Sequence, residues 1–209
     1  MRSLRRALFR TGVKRLLLLV VWLIAPVCAW AQDLANGVFL VAQPALTEAT
    51  FRRTVILITQ PPQAGTIGVI INRSTEIPLR EVLPDHEHLA QQPHNLHFGG
   101  PVERQGLMFL VRADTPPPRS IPVLRDVYLT GDADWVNNAL ATATTLSAVR
   151  VYAGYSGWAP GQLRSEIERE GWYILPADSE TIFDKNPADV WLDLVKRAAL
   201  RPTAALNTN

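Results

Sequence analysis

The chain is predicted to fold as a single α+β domain around a mixed β-sheet. Short β-branched segments come first, in hairpin-like order, whereas in a doubly wound fold strand and helix alternate regularly. Helical segments are few, well capped and irregularly interspersed. The chain of 209 residues, once a targeting segment is set aside, is of ordinary single-domain length, with enough apolar sequence for a real core.

The targeting segment is residues 1–31. It holds six basic residues and no acid, then LLLLVVWLIAPVCA, then Ala29-Trp30-Ala31. That order is the basic region, apolar region and small-residue cleavage site of a secretory signal peptide. The apolar run is shorter than the roughly 20 residues of a spanning helix, and Pro26 interrupts it, so cleavage before Gln32 is expected over a retained membrane anchor. Cleavage removes six of the 21 basic residues and leaves 15 against 19 acidic, so the formal charge moves from +2 to −4. A mildly acidic mature chain whose only adjacent basic pairs are Arg52-Arg53 and Lys196-Arg197 is not expected to bind nucleic acid. Cys28, the one cysteine, leaves with the signal, which excludes a thiolate nucleophile, a disulfide within the mature chain and cysteine metal sites. The mature domain is expected over residues 32–200, followed by a disordered tail over 201–209.

In chain order, Val38–Ala42 reads as a strand and Pro44–Arg52 as a short helix or turn. Thr54–Thr59 reads as a buried strand ended by Pro61-Pro62, and Thr66–Ile71 as its hairpin partner. Leu107–Val111 and Val149–Tyr155 are further strands, with Thr115–Arg119 a stiff proline-rich loop between them. Asp132 precedes a helix over Ala133–Ala143 with Val136, Leu140 and Ala143 on one face. Gln162–Glu170 is a second helix, with Leu163 and Ile167 on one face and Gly171 as its stop. Trp172–Leu175 returns as a strand. Asn186 then caps a last helix, with Pro187 at its first position and Val190, Leu194 and Val195 following.

Several segments in this order carry a resemblance: FLVAQP from Phe39, FRRTV from Phe51, GTIGVIINR from Gly65, GGPV from Gly99 and GYSGWAPGQL from Gly154. Together they resemble the YqgE/AlgH family (UPF0301, DUF179) from about Leu34 to Leu200. The resemblance implies a branched, partly barrel-like β-sheet flanked by helices, and a role in regulation, the family being named for control of alginate production. It does not imply a particular reaction. Most members are taken to be cytoplasmic, so the export signal is a departure. Ser74 stands where the family usually has proline, and Val111-Arg112 where it usually has Leu-His, which removes one candidate general base.

The candidate binding residues are Asn72, Arg73, Gly99, Gly100, Pro101, Gly157, Trp158, Pro160, Gly161 and Gln162. An Asn-Arg pair closing an apolar strand can meet a ligand carboxylate, and equally can bond carbonyls of neighbouring turns. Gly99-Gly100-Pro101 suits a tight turn or close approach of a ligand. In GYSGWAPGQL the glycines permit close packing, Pro160 can open a helix and Trp158 can cover apolar surface with its N–H anchored. The loop has no lysine and no nucleotide-loop spacing, so a structural role is expected ahead of a ligand roof. Ser156 matches a nucleophile elbow in only four of its five letters, and the family typically has alanine there, so no catalytic residue is expected. Glu166 and Glu170, four apart with like charge, read as a solvated face or a partner surface. His86, His88, His94 and His97 lie in DHEHLAQQPHNLH, where zinc or copper could bind. The spacing fits no zinc signature and prolines flank and interrupt it, so a surface loop is expected and no metal or cofactor is assigned.

The sequence therefore predicts an exported, periplasmic binding or regulatory protein that acts on another protein. The alternatives are a small-ligand receptor or enzyme with its pocket at the Gly157–Gln162 loop, and a membrane-anchored or cytoplasmic location.

Overall fold

Strand β2 (Val55–Thr59) follows β1 (Val38–Ala42) and is buried at all five positions. Its successive side chains serve opposite sides of the sheet, as strand geometry requires. Val55 and Leu57 join Phe39, Val41, Leu175 and Leu194 in one core, while Ile56 and Ile58 join Leu40, Ile70, Trp158 and Trp172 in another. A strand with two dry faces explains why VILIT shows no polar alternation.

A computed structural model gives the rest of the architecture and describes residues 37–60, 65–142 and 146–200. After β3 (Ile67–Ile70) come β4 (Ser74–Pro78), the single-turn helices α1 (Leu79–Val82) and α2 (Glu87–Ala90), β5 (Asn95–Phe98) and β6 (Val102–Ala113). Strands β7 (Ile121–Pro122) and β8 (Val127–Thr130) lead to α3 (Ala133–Thr142) and β9 (Leu146–Gly157). The chain closes with α4 (Gln162–Glu168), β10 (Trp172–Pro176), α5 (Ser179–Phe183) and α6 (Pro187–Ala199). The predicted signal segment and tail lie outside the described residues. No helix among the described residues is long and apolar enough to cross a membrane.

The fold class is as the sequence predicts: α+β, with a curled, half-barrel sheet of order β10-β1-β2-β3-β9-β6-β8-β7 and helices around it. The β2–β3 hairpin forms, antiparallel, with Ile56 opposite Ile70. The branch point is β9. It runs antiparallel to β6 over most of its length, meets the end of β3 at Ser156 and Gly157, and takes β5 as a parallel partner at Tyr152 and Ala153. That one parallel pairing makes the sheet mixed.

Pro44–Arg52 takes the turn form of the two expected, ending at Arg53 with φ of 56°. Several boundaries differ from expectation. The two central strands are each 12 residues long, because they pair beyond the apolar runs, Val102 with Tyr155 at one end and Arg112 with Ala148 at the other, with a break in register over residues 103–106. Helix α4 stops at Glu168. Its C-terminus is a Schellman turn in which Glu170, at φ 58°, holds the left-handed position, its N–H bonding the Ile167 carbonyl while the Gly171 N–H reaches the Glu166 carbonyl. The glycine thus sits one residue beyond the position that stops the helix. Asn186 caps α6 as predicted, its Oδ1 accepting from the Ala188 N–H at 3.1 Å, with Pro187 in the first turn. Strands β4, β5, β7 and β8 and helices α1, α2 and α5 went unpredicted, each being five residues or fewer.

Candidate functional site

The loop Gly157–Gln162 leaves β9 and enters α4, and its polar groups converge on one carboxylate. Glu166 Oε2 accepts from Trp158 Nε1 at 3.0 Å and from Trp172 Nε1 at 3.2 Å, while Oε1 accepts from Gln162 Nε2 at 3.0 Å. The Gln162 Oε1 accepts from the Ala159 N–H at 3.2 Å. Glu166 is therefore a tether between two tryptophans, which corrects its reading as a solvated face. Its position one turn along from Gln162 brings it back over the loop. Glu170 is exposed. Gly161 is the residue before α4, with φ of 79°, and Pro160 lies in the turn ahead of it, not at the first helical position as expected. Trp158 is 7 % exposed. Ser156 lies within β9 opposite Gly68, not on a strand-to-helix elbow, and its hydroxyl is buried.

Gly99 and Gly100 sit where the chain passes over β9. A Cβ on Gly99 would fall 2.2 Å from the Gly154 carbonyl oxygen, and one on Gly100 would fall 2.1 Å from the Tyr155 carbonyl carbon. Gly154, at φ 68°, completes the crossing from below, its own Cβ position lying 2.6 Å from the Val102 oxygen. Pro101 follows, exposed, at the entrance to β6. What approaches these glycines closely is backbone.

Asn72 and Arg73 close β3 and bind it to the preceding turns. Asn72 Oδ1 accepts from the Val55 N–H at 2.7 Å and its Nδ2 donates to the Arg53 carbonyl at 3.0 Å. Arg73 donates to the carbonyls of Ala49 and Arg52 at 3.3 and 3.4 Å and lies over the Phe98 ring.

The same pair forms one wall of a cleft of about 510 Å³. Ser74, the segment Pro93–Asn95, His97, Arg150 of β9 and Asn186–Ala188 at the start of α6 complete its lining. Gly99–Pro101 and Gly157–Gln162 do not line it, so the structure brings together only Asn72 and Arg73 of the ten candidate residues at this recess. Sequence reading missed Arg150, although a charged residue inside the apolar run Val149–Tyr155 was the available signal. It also missed the inward placement of two histidines.

The expected surface loop over the histidine segment is corrected here. His86 and His88 belong to the surface around α2, but His94 is half-buried and His97, on β5, is only 2 % exposed. Burial came from strand pairing: β5 is covered on one side by β4 and on the other by β9, and His97 packs against Tyr152 with ring centroids 5.3 Å apart. Backbone groups of Asn95 and Val151 lie close to the His97 ring. No ring nitrogen of His94 or His97 makes a well-formed hydrogen bond, and the buried Tyr152 hydroxyl makes none. Burial first, and the Arg150 charge second, hold both imidazoles down at about 4, so they are neutral at physiological pH. Burial likewise pushes the Tyr152 phenol up.

This arrangement sets an acid sensitivity. An unfolded histidine takes its proton near pH 6.5, whereas folded His97 does so only near 4, so between those values the unfolded chain binds more protons and stability falls as pH falls. For His97 the loss is expected to reach roughly 2 to 3 kcal/mol by pH 4. Denaturant melts between pH 7 and 4.5 should show this slope in the wild type and a shallower one in His97→Gln. Equal slopes would show that His97 is not held neutral.

A second recess, of about 490 Å³, lies at the start of α3, lined by His86, Arg119 and the segment 130–134. Its charges are already paired: His86 Nε2 meets Asp134 at 3.0 Å, and Arg119 pairs with Asp132. Among the described residues, no three His, Cys, Asp or Glu side chains are grouped as metal ligands.

Comparison with known proteins agrees with this architecture. Residues 39–203 match the family model DUF179, described as AlgH-like. A UPF0301 protein of Mycobacterium tuberculosis (strain H37Rv) is 39 % identical over 186 residues, covering 86 % of this chain and 89 % of that protein. One from Mycobacterium avium is 37 % identical over 186 residues, covering 86 % and 90 %. Among solved structures, the crystal structure of a Corynebacterium diphtheriae protein superposes with a TM-score of 0.67 at 26 % identity, covering 81 % of this chain and 88 % of that one. The solution structure of the AlgH protein from Pseudomonas aeruginosa gives 0.64 at 26 % identity, covering 83 % and 95 %. With its motifs, its branched sheet and these matches in agreement, the chain belongs to the AlgH-like UPF0301 family.

Proposed function

We propose that this chain is a non-catalytic binding protein with a regulatory role, exported to the periplasm and acting on another protein in response to a small ligand. The observation that carries the reading is the composition of the cleft. It gathers two guanidinium groups and two neutral histidines, and among the described residues no carboxylate and no cysteine lines it. Acid–base or nucleophilic catalysis needs a base in hydrogen-bond reach of a nucleophile, and a third group to orient the base. Neither histidine ring bonds a hydroxyl or a carboxylate, and the Ser74 hydroxyl bonds the Thr75 carbonyl instead. Asn72 and Arg73 are the candidate ligand contacts. Gly99, Gly100, Pro101, Gly157, Trp158, Pro160, Gly161 and Gln162 serve as the frame that holds β9 and α4 in place.

Incubation of the purified protein with p-nitrophenyl acetate and p-nitrophenyl phosphate tests the reading. The expected result is no release above the buffer rate. Turnover that disappears in His97→Gln would overturn the non-catalytic assignment. Export rests on the sequence of residues 1–31 and predicts a mature chain beginning at Gln32. Amino-terminal sequencing checks this, and an intact Met1 on cytoplasmic protein would refute it.

A further inference from the structure

Arg73 and Arg150 both line the cleft, and among the described residues neither pairs with a carboxylate. Arg73 bonds only backbone carbonyls through Nη2, and Arg150 donates one bond, 2.6 Å to the Phe183 carbonyl. The other arginines that make ion pairs here, Arg112, Arg119 and Arg197, each have an acidic partner. Two unneutralised cations lining one cleft attract an anion, and guanidinium groups suit oxyanions because their fork matches two oxygens at once.

The histidine bordering the same cleft supplies the independent observation. His97 is 2 % exposed and borders the cleft, with backbone groups of Asn95 and Val151 near its ring but no well-formed hydrogen bond at either ring nitrogen. A buried polar group without a partner is costly, and where one persists at a recess a ligand-facing role is the usual physical account. A neutral imidazole beside Arg150 keeps a third charge out of a half-buried site. The start of α6 adds its dipole but little more. Pro187 has no N–H, and the Ala188 and Asp189 N–H groups are taken by Asn186 Oδ1 and the Asn186 carbonyl. The case therefore stands on the arginines and His97.

We propose that this cleft binds a small phosphate monoester, with Arg73 and Arg150 on the phosphate oxygens and the buried, neutral His97 bordering the site. Two guanidinium charges match a dianion, where a single carboxylate would leave one uncompensated. The volume of about 510 Å³ exceeds what a bare phosphate fills, so an organic moiety occupies the remainder, toward Pro93 and Pro187. This assignment rests on the binding reading above and names the ligand class for it.

The test uses the full chain with inorganic phosphate and glycerol 3-phosphate as probes, titrated by calorimetry against sodium chloride at matched ionic strength. Saturable binding is expected for both, tighter for the ester, and weakened at least tenfold in Arg73→Gln and in Arg150→Gln. Arg104→Gln, an arginine outside the cleft, should bind as the wild type does. Should a cleft variant fail to fold, backbone amide shifts of the wild type on phosphate titration decide the matter. Movement confined to Ser74, Asn95, His97 and Arg150 supports the site. No saturable binding, binding that chloride reproduces, or shifts elsewhere would overturn it. Hydrolysis of the ester at this site would overturn the non-catalytic reading and leave the phosphate site standing, so the two failures are distinguishable.

Discussion

Replacement of Trp158 by alanine is expected to destabilise the protein by roughly 3 to 5 kcal/mol, the range for removing a buried large aromatic. The indole is 7 % exposed and packs with Leu40, Ile56, Ile58, Ile70 and Trp172, so truncation leaves a cavity between β2 and α4 that the rigid sheet cannot close. It also removes one of the N–H donors to Glu166 Oε2 and leaves Trp172 alone on that oxygen. Trp158→Phe separates the two contributions, because it keeps most of the packing and loses the hydrogen bond; a loss of about 1 to 2 kcal/mol is expected. Gln162→Ala should cost less than about 1 kcal/mol, since its bonds to Ala159 and Glu166 lie at the exposed edge of the loop. For Gly161→Val the reason for destabilisation is the backbone. The space around Gly161 is open, but its φ of 79° disfavours a β-branched residue by about 1 to 2 kcal/mol. Urea denaturation measures all four. A Trp158→Ala protein as stable as the wild type would refute the packing role and return the loop to ligand binding.

Alanine at Gly99 or Gly100 is expected to have an even larger effect, about 4 kcal/mol or more, and to leave little soluble protein. The obstructing atoms are backbone atoms of β9, at 2.2 Å for Gly99 and 2.1 Å for Gly100, so no side-chain rotation relieves the contact. Moving the chain away would break the Gly99 N–H bond to the Ala153 carbonyl and the bond that the Gly99 carbonyl accepts from the Ile70 N–H, both 2.8 Å. Those bonds join β3, β5 and β9 at the branch of the sheet, where the loss of one pairing loosens the others. Gly157→Ala is the control. Its added methyl would meet only the Tyr155 ring, at 3.5 Å, and stability should stay within about 0.5 kcal/mol of the wild type. Soluble yield and denaturation midpoints report the difference, and a stable, soluble Gly100→Ala protein would contradict the crossing geometry.

Much of the frame could be read along the chain because it depends on local chemistry. The β-branched runs at Val55 and Ile67 and the Asn186-Pro187 cap carry their own conformational preference, and each occupies the element expected of it. Trp158 was recognisable as a covering residue with an anchored N–H, because a tryptophan between glycines has few other uses. Its acceptor was not, since a glutamate on the next helix turn gives no sign in sequence of which way it reaches. The same limit applies to the histidine segment. Four histidines among prolines and acids read as surface, and burial of His97 was set by β4 and β9 closing on either side of a strand too short to announce itself.

The sequence by itself determined the fold class, the β2–β3 hairpin, the capped last helix, and, from Gln32 onward, a composition without cysteine and short of basic clusters. All of these follow from side-chain volume, periodicity and capping over spans of a few residues. Arg73, His97, Arg150 and Asn186 are separated by as many as 113 positions, and no local preference relates them. Their meeting depends on β9 branching to β3, β5 and β6 at once, which three interlocked glycines permit through backbone contact. Long-range pairing fixes that geometry, so the cleft exists only in the folded chain.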